Sequence, residues 1–214
     1  MRYALTLTLA TATAAALLSM PAHAADQPRS VAPFTSVSNE GPVNLFIEVG
    51  KTQSVTASGS ADYLADLLTE VVNGELRIHM RHDTHIDDRH WGDMKITITV
   101  PQLTAFTMAG AGQTTITHMS GDKLAVQFGG AGSLKADGTV RDLQLNVGGV
   151  GSIDTRDLHA ATVNANIGGV GSVKVWAGER LDASVGGVGS LTYYGDPKTV
   201  HTSGGGLGSI SKAR

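Results

Sequence analysis

The chain has 214 residues, with 16 basic and 19 acidic side chains, eight histidines and no cysteine. A formal charge of −3 argues against a nucleic-acid or anionic-membrane partner, both of which favour a basic face. The missing cysteine excludes disulfides and lipid attachment through a cysteine, and 27 glycines against ten aromatics suit a thin core better than the thick one of a globular enzyme.

Met1–Ala24 reads as a secretory signal peptide: Arg2 supplies the positive end, Ala4–Leu18 the apolar core, and Ala22-His23-Ala24 a small-residue cleavage site. The expected mature chain starts near Ala25, has 190 residues and, having lost one basic residue, carries a formal charge of −4. No second stretch approaches the ~20 apolar residues of a membrane span. The mature product is therefore expected to have no transmembrane segment and to be periplasmic or secreted.

Residues 25–33 are polar and contain proline, and are expected to form a flexible leader. Residues 34–108 read as an N-terminal β-rich part that starts and caps the second half of the chain. Val43, Leu45, Ile47 and Val49 alternate with Asn44, Phe46 and Glu48, which reads as a strand, and a second strand centres on Val55 and Ala57. Ser60 is placed to cap a short helix from Ala61 in which Leu64, Leu67 and Leu68 share a face. Asn73-Gly74 is a strong two-residue hairpin signal, returning through Leu76, Ile78 and Met80. Lys95–Val100 resumes alternation until Pro101, and Leu103–Met108 leads into the second half.

Residues 109–214 are organised by a repeat. GGAGS at Gly129–Ser133 recurs as GGVGS at Gly148, Gly168 and Gly186 and as GGLGS at Gly205, with a degenerate AGAG at Ala109–Gly112. Successive steps are 20, 19, 20, 18 and 19 residues, a solenoid's period, in which no single coil can bury its apolar face alone. The residue after the motif serine is Leu134, Ile153, Val173, Leu191 or Ile210. The residue inside the motif is Ala131, Val150, Val170, Val188 or Leu207, and the one before it is Phe128, Val147, Ile167 or Val185. A polar column (Gln127, Asn146, Asn166, Ser184, Ser203) alternates with the apolar ones, which is strand periodicity. The fold predicted is all-β: a right-handed parallel β-helix or β-solenoid of about six C-terminal coils of about 19 residues, with one short helix in the N-terminal half. Stacking would set the serine and Asn/Gln columns into hydrogen-bonded ladders, and Lys135, Asp154 and Lys174 into a row of alternating charge.

Several of these stretches also resemble a known family. Phe34, Asp62-Tyr63-Leu64, the run Leu68–Ile78 and Ile96-Thr97-Ile98-Thr99-Val100-Pro101-Gln102-Leu103, leading into glycine repeats, resemble the bacterial "putative autotransporter adhesin, head GIN domain" family. The resemblance spans roughly Val31 to Ile210, as one continuous domain. It implies a secreted β-solenoid of the bacterial envelope without an established activity, and it brings no catalytic residues.

Candidate chemistry is sparse. His79, His82, His85 and His90, with Asp83, Asp87, Asp88 and Asp93, form a polar patch in 79–93 whose ligand types suit zinc or a similar cation. Its spacing fixes no coordination geometry, and a solvated loop between two strands is the competing reading. Asp137, Asp142, Asp154, Asp157, Glu179, Asp182 and Asp196 are the acids that a polysaccharide-acting enzyme would draw on. The motif serines recur in every coil, as structural residues do, and no helix follows the glycines to make a phosphate loop. Trp176, Tyr193 and Tyr194 are candidate contacts for a glycan or a protein, one ring of the tyrosine pair falling on each face of its strand. The function expected is therefore non-catalytic, without a cofactor: a flat surface for binding or adhesion in the envelope, to an unknown protein or glycan. A periplasmic polysaccharide-acting enzyme and a metal-binding envelope protein are the alternatives. The open strand edge after Thr202 predicts a capping tail or a homodimer through the C-terminal coil.

Overall fold

The structure is a computed structural model that describes residues 25–81 and 94–213. The signal peptide expected at Met1–Ala24 lies outside the described residues, as do His82, His85, His90 and the aspartates between them.

Along the chain, the N-terminal half comprises β1 (Ala25–Pro28), β2 (Ser36–Asn39), β3 (Asn44–Val49), β4 (Ser54–Gly59), α1 (Ala61–Asp66), β5 (Leu67–Val72), β6 (Glu75–Met80), β7 (Lys95–Val100) and β8 (Ala105–Met108). The repeats form β9 (Ala111–Phe128), β10 (Ala131–Val147), β11 (Val150–Ile167), β12 (Val170–Val185), β13 (Val188–Tyr194), β14 (Thr199–Gly204) and β15 (Ser209–Lys212). β9, β10, β11 and β12 are each a whole coil, β13 and β14 together make a fifth, and β15 begins another. Five full coils thus stand where the motif count suggests about six.

Neighbouring coils pair in parallel, residue on residue. Leu134 lies on Ile153, Ile153 on Val173 and Val173 on Leu191, and all four are at most 2% exposed. Phe128, Val147, Ile167 and Val185 form a second inner column. Stacking buries each apolar face against its copies above and below, which no isolated coil could do.

The corner between walls is built by the motif. The carbonyl of Phe128 accepts the N–H groups of both Gly148 and Gly149 (2.9 Å each), and Met108 and Val147 accept the corresponding pairs one coil either side. Two successive N–H groups aimed at one oxygen turn the chain sharply. The second and third glycines then bring backbone against backbone: a β-carbon on Gly149 or Gly132 would overlap the carbonyl oxygen of Gly130 or Gly112 in the preceding coil. The first glycine is different, because nothing lies within 4 Å of a β-carbon on Gly148. The fifth copy, at the end of the column, forms a turn instead, with Leu207 83% exposed.

The N-terminal half continues both long walls. On one, β9 pairs with β3, β3 with β7, β7 antiparallel with β4, and β4 antiparallel with β1. On the other, β9 pairs with β8, β8 with β2, β2 with β6, and β6 antiparallel with β5. Strands β3 and β4 are therefore separated by β7. The supposed leader is partly a strand: Ala25–Pro28 pairs with Thr56–Gly59, and Ser58 donates to Asp26 at 2.5 Å. Asn73 and Gly74 take φ values of 52° and 78° between β5 and β6, the left-handed pair that a tight hairpin needs. The helix is shorter than the leucine spacing suggests. Ser60 occupies the N-cap but its side chain makes no cap bond, and Leu67 is already extended (φ −76°, ψ 118°). Leu67, fully buried, and Leu68 therefore belong to β5, leaving Leu64 as the helix's buried residue.

One residue breaks the inner column. The degenerate repeat places Thr114 under Leu134, 1% exposed, with its hydroxyl unpartnered. Burying a hydroxyl without a bond is costly, so Thr114→Val is expected to stabilise the protein by about 1 kcal/mol. A denaturant midpoint unchanged or lowered in that variant would contradict the assignment.

Candidate binding surface

The outward residues form five parallel columns on the wall that ends at the motif. The first contains Lys123, Asp142, Thr162, Arg180 and Thr199. Ala125, Gln144, Asn164, Asp182 and His201 form the second, and Gln127, Asn146, Asn166, Ser184 and Ser203 the third. The fourth, where the chain begins to turn, is bare glycine: Gly129, Gly148, Gly168, Gly186 and Gly205. The fifth is Ala131, Val150, Val170 and Val188, all exposed, with the valines 49–58% accessible. The residue inside the motif, apolar like its neighbours, thus points out of the fold. The wall is graded across its width, from mixed charged and polar residues through amides and serines to glycine and valine, and the three columns nearest the motif keep their character along its length.

Two shallow clefts lie on this wall and meet at Asn166. One, of about 350 Å3, is lined by Gln127, Gly129, Asn146, Gly148, Asn166 and Gly168. The other, of about 400 Å3, is lined chiefly by Asn164, Asn166, Asp182, Ser184, His201 and Ser203. Gln127, Gln144, Asn146, Asn164 and Asn166 stack in register, but among the described residues their side-chain amides make no hydrogen bond. The ladder expected of that column is therefore one of alignment only. The serine column does bond once, Ser152 to Ser172 at 3.3 Å.

The aromatic candidates separate. Tyr193 packs on the core, whereas Tyr194 lies in register with Trp176, and Trp176 with His159, on the outer side. His159 and Trp176 are stacked, with centroids 4.4 Å apart and planes 16° from parallel. The rest of the indole fills space left by glycines: its six-membered ring would lie 3.0–3.1 Å from a β-carbon on Gly178, and Cε2 3.2 Å from one on Gly195. Trp176 is thus partly covered by its own protein and remains half-buried. Tyr194 has the Arg156 guanidinium 5.8 Å from its ring centre.

Most candidate acids are occupied. Arg156 donates two hydrogen bonds to Asp154 at 2.9 and 3.1 Å and a third through Nη2, while Lys174 stands 4.0 Å away. The charge row up the coils is therefore weaker than the pair within one coil. Arg180 holds both oxygens of Asp182, Lys212 pairs with Asp196, Arg141 with Asp142, and Asp137 accepts the backbone N–H of His118. Hydrogen bonds from Arg156, Arg180 and Lys212 hold Asp154, Asp182 and Asp196 below the ordinary carboxylate value of 3.8. A glycosidase's general acid requires the opposite shift. Because Asp154 is lowered in the folded state, its stabilising effect is complete above pH 3.8 and disappears as pH falls toward the folded value. Asp154→Asn is therefore expected to lose less melting temperature than the wild type between about pH 5 and about pH 3. Parallel pH curves would refute this.

Of the histidine patch, His79 lies in β6 with its Nδ1 buried and unpartnered. His82, His85 and His90 lie outside the described residues, and among the described residues no cluster of three ligand-type side chains occurs.

Known proteins share this fold. A family model described as "Putative auto-transporter adhesin, head GIN domain" matches residues 33–197. Among solved structures, the chain is similar to a "putative adhesin" from Bacteroides fragilis NCTC 9343, at 26% identity and a TM-score of 0.71, over 89% of this chain and 97% of that one. It is similar in fold to a "putative adhesin" from Parabacteroides merdae ATCC 43184, at 14% identity and a TM-score of 0.50, over 90% of this chain and 97% of that one. Among curated proteins none matches the chain.

Proposed function

We propose, from the premise that the chain belongs to the auto-transporter adhesin, head GIN domain family, that it is a non-catalytic adhesion protein, exported by a cleaved signal peptide, whose solenoid wall is its binding surface. The observation that carries this is the repetition of one outward pattern in register over successive coils. A contact too weak to matter once is multiplied along such a wall, by the arithmetic of multivalency. The similar protein from Bacteroides fragilis, named for adhesion, supports the same reading, and so does the pairing of the wall's carboxylates with basic groups.

The test uses full-length protein expressed in a bacterial host and recovered from the exported fraction. Mass spectrometry should give a chain beginning near Ala25, and beads coated with it should bind envelope preparations saturably and in competition with soluble protein. Turnover of a polysaccharide by the purified protein, or beads that bind nothing, would overturn the reading.

The same reading includes a homodimer through the C-terminal coil. There β14 and β15 leave outer edges, and Val200 (41%) and Leu207 (83%) are exposed. Sedimentation should show a dimer for the exported protein and a monomer for a Val200→Lys/Leu207→Lys variant; a monomer in both cases removes the dimer.

A further inference from the structure

We infer that the two clefts joined at Asn166 form one groove along the solenoid axis, and that its ligand is a linear, neutral glycan lying across the coils at about one sugar per coil. This rests on the adhesion reading and names its partner's chemistry.

The lining of the groove points to hydroxyl-rich ligands. Gln127, Asn146 and Asn166 form one side, continued by Ser184 and Ser203, with Gln144 and Asn164 behind them. A primary amide presents donors and an acceptor side by side, which is what vicinal hydroxyl groups require. Among the described residues those amides have no hydrogen-bond partner. Coils lie ~4.8 Å apart and alternate residues along a strand ~6.7 Å apart. The amides therefore form a lattice that a short side chain or a single metabolite would not span. The amides cover the coils from Gln127 to Asn166, roughly 10 Å at that spacing, and the serines extend the polar row to the Ser203 coil, roughly 19 Å in all.

The floor and far side fit the same occupant. Gly129, Gly148 and Gly168 leave the trough open beside the amides, and the exposed valines lie two residues further along each coil, at the corner. A pyranose ring has hydroxyls around its rim and C–H groups on its faces, so a polar side facing a bare, weakly apolar one suits it.

Charge selects among polymers. Between Gln127 and Asn166 the groove contains no charged side chain. At the C-terminal end Asp182 is already held by both Arg180 nitrogens. Among the described residues lining the groove there is no lysine or arginine for a uronate, sulfate or phosphate polymer, only His201 at the C-terminal end, and an acyl chain would have to desolvate the amides without replacing their hydrogen bonds.

The experiment measures binding of neutral linear oligosaccharides of one to six sugars, with uronate-containing ones of equal length alongside, to the exported protein by calorimetry. Affinity should rise with each added sugar up to about five, and the uronate series should bind at least tenfold more weakly. Asn146→Ala/Asn166→Ala should lower affinity at least tenfold. Gly148→Leu, whose β-carbon meets nothing within 4 Å and whose side chain would fill the cleft, should block binding while leaving the melting temperature unchanged. Affinity independent of chain length, preference for the charged series, or unaltered binding in both folded variants overturns the groove assignment. Envelope adhesion measured in parallel separates the two proposals. If adhesion persists while neutral glycans fail to bind, the ligand is wrong and the adhesion reading stands; if adhesion is absent as well, both fall.

Discussion

Gly132→Ala is expected to destabilise the protein by about 3–5 kcal/mol, near the upper end for a single substitution. Two costs add. The residue has φ +136°, where a β-carbon is strained. That β-carbon would also be driven into the carbonyl of Gly112, backbone that cannot swing aside as a side chain does. Relieving the overlap requires the two coils to separate, which breaks parallel pairing on both walls of the corner. Gly148→Ala, from the same motif type, should move stability by no more than about 0.5 kcal/mol, because its β-carbon meets nothing within 4 Å. Urea unfolding of the two variants beside the wild type measures the contrast. Comparable midpoints for the two would mean that the corner is not backbone packed on backbone.

The second large effect contrasts two apolar columns. Ile153→Ala removes a side chain that is 1% exposed and stacked between Leu134 and Val173. Such truncations cost about 2–5 kcal/mol, through lost burial plus the cavity left behind. Val150→Ala, three residues earlier, alters a side chain that is 58% exposed and should cost within about 0.5 kcal/mol. Thermal melts of the two variants read the difference directly, and a Val150→Ala loss equal to that of Ile153→Ala would place the valine column inside the fold.

These two columns mark how far the repeat pattern carries. Both are apolar in every copy, and only geometry distinguishes them. Ile153 sits on a flat wall where alternation sends it inward, whereas Val150 sits on the corner between two glycines, where the chain is turning and period two no longer holds. The same break explains the glycines: three in each motif look alike as letters, but only the second and third face the neighbouring backbone. One outward ring of the tyrosine pair is legible from alternation along the strand. The stacking of Trp176 on His159 beside Gly178 and Gly195 is not, since it depends on the register of three coils. The amide column is legible too, yet its letters suggest a ladder bonded to itself; the stack aligns it, and among the described residues its amides make no hydrogen bond.

The amino-acid order by itself determined the stacked β architecture, the coil length of about 19 residues, the buried Leu134–Ile153–Val173–Leu191 column and the Asn73-Gly74 hairpin. Periodicity and left-handed backbone preference are local properties, and local properties are written in sequence. Tertiary structure alone decided that β7 separates β3 from β4, that Ala25–Pro28 closes one wall as a strand, that Leu67 leaves the helix, and that the valine column faces outward. Each of these depends on which coil lies beside which, and pairing between distant segments is settled by the burial of the whole stack rather than by any one stretch of chain.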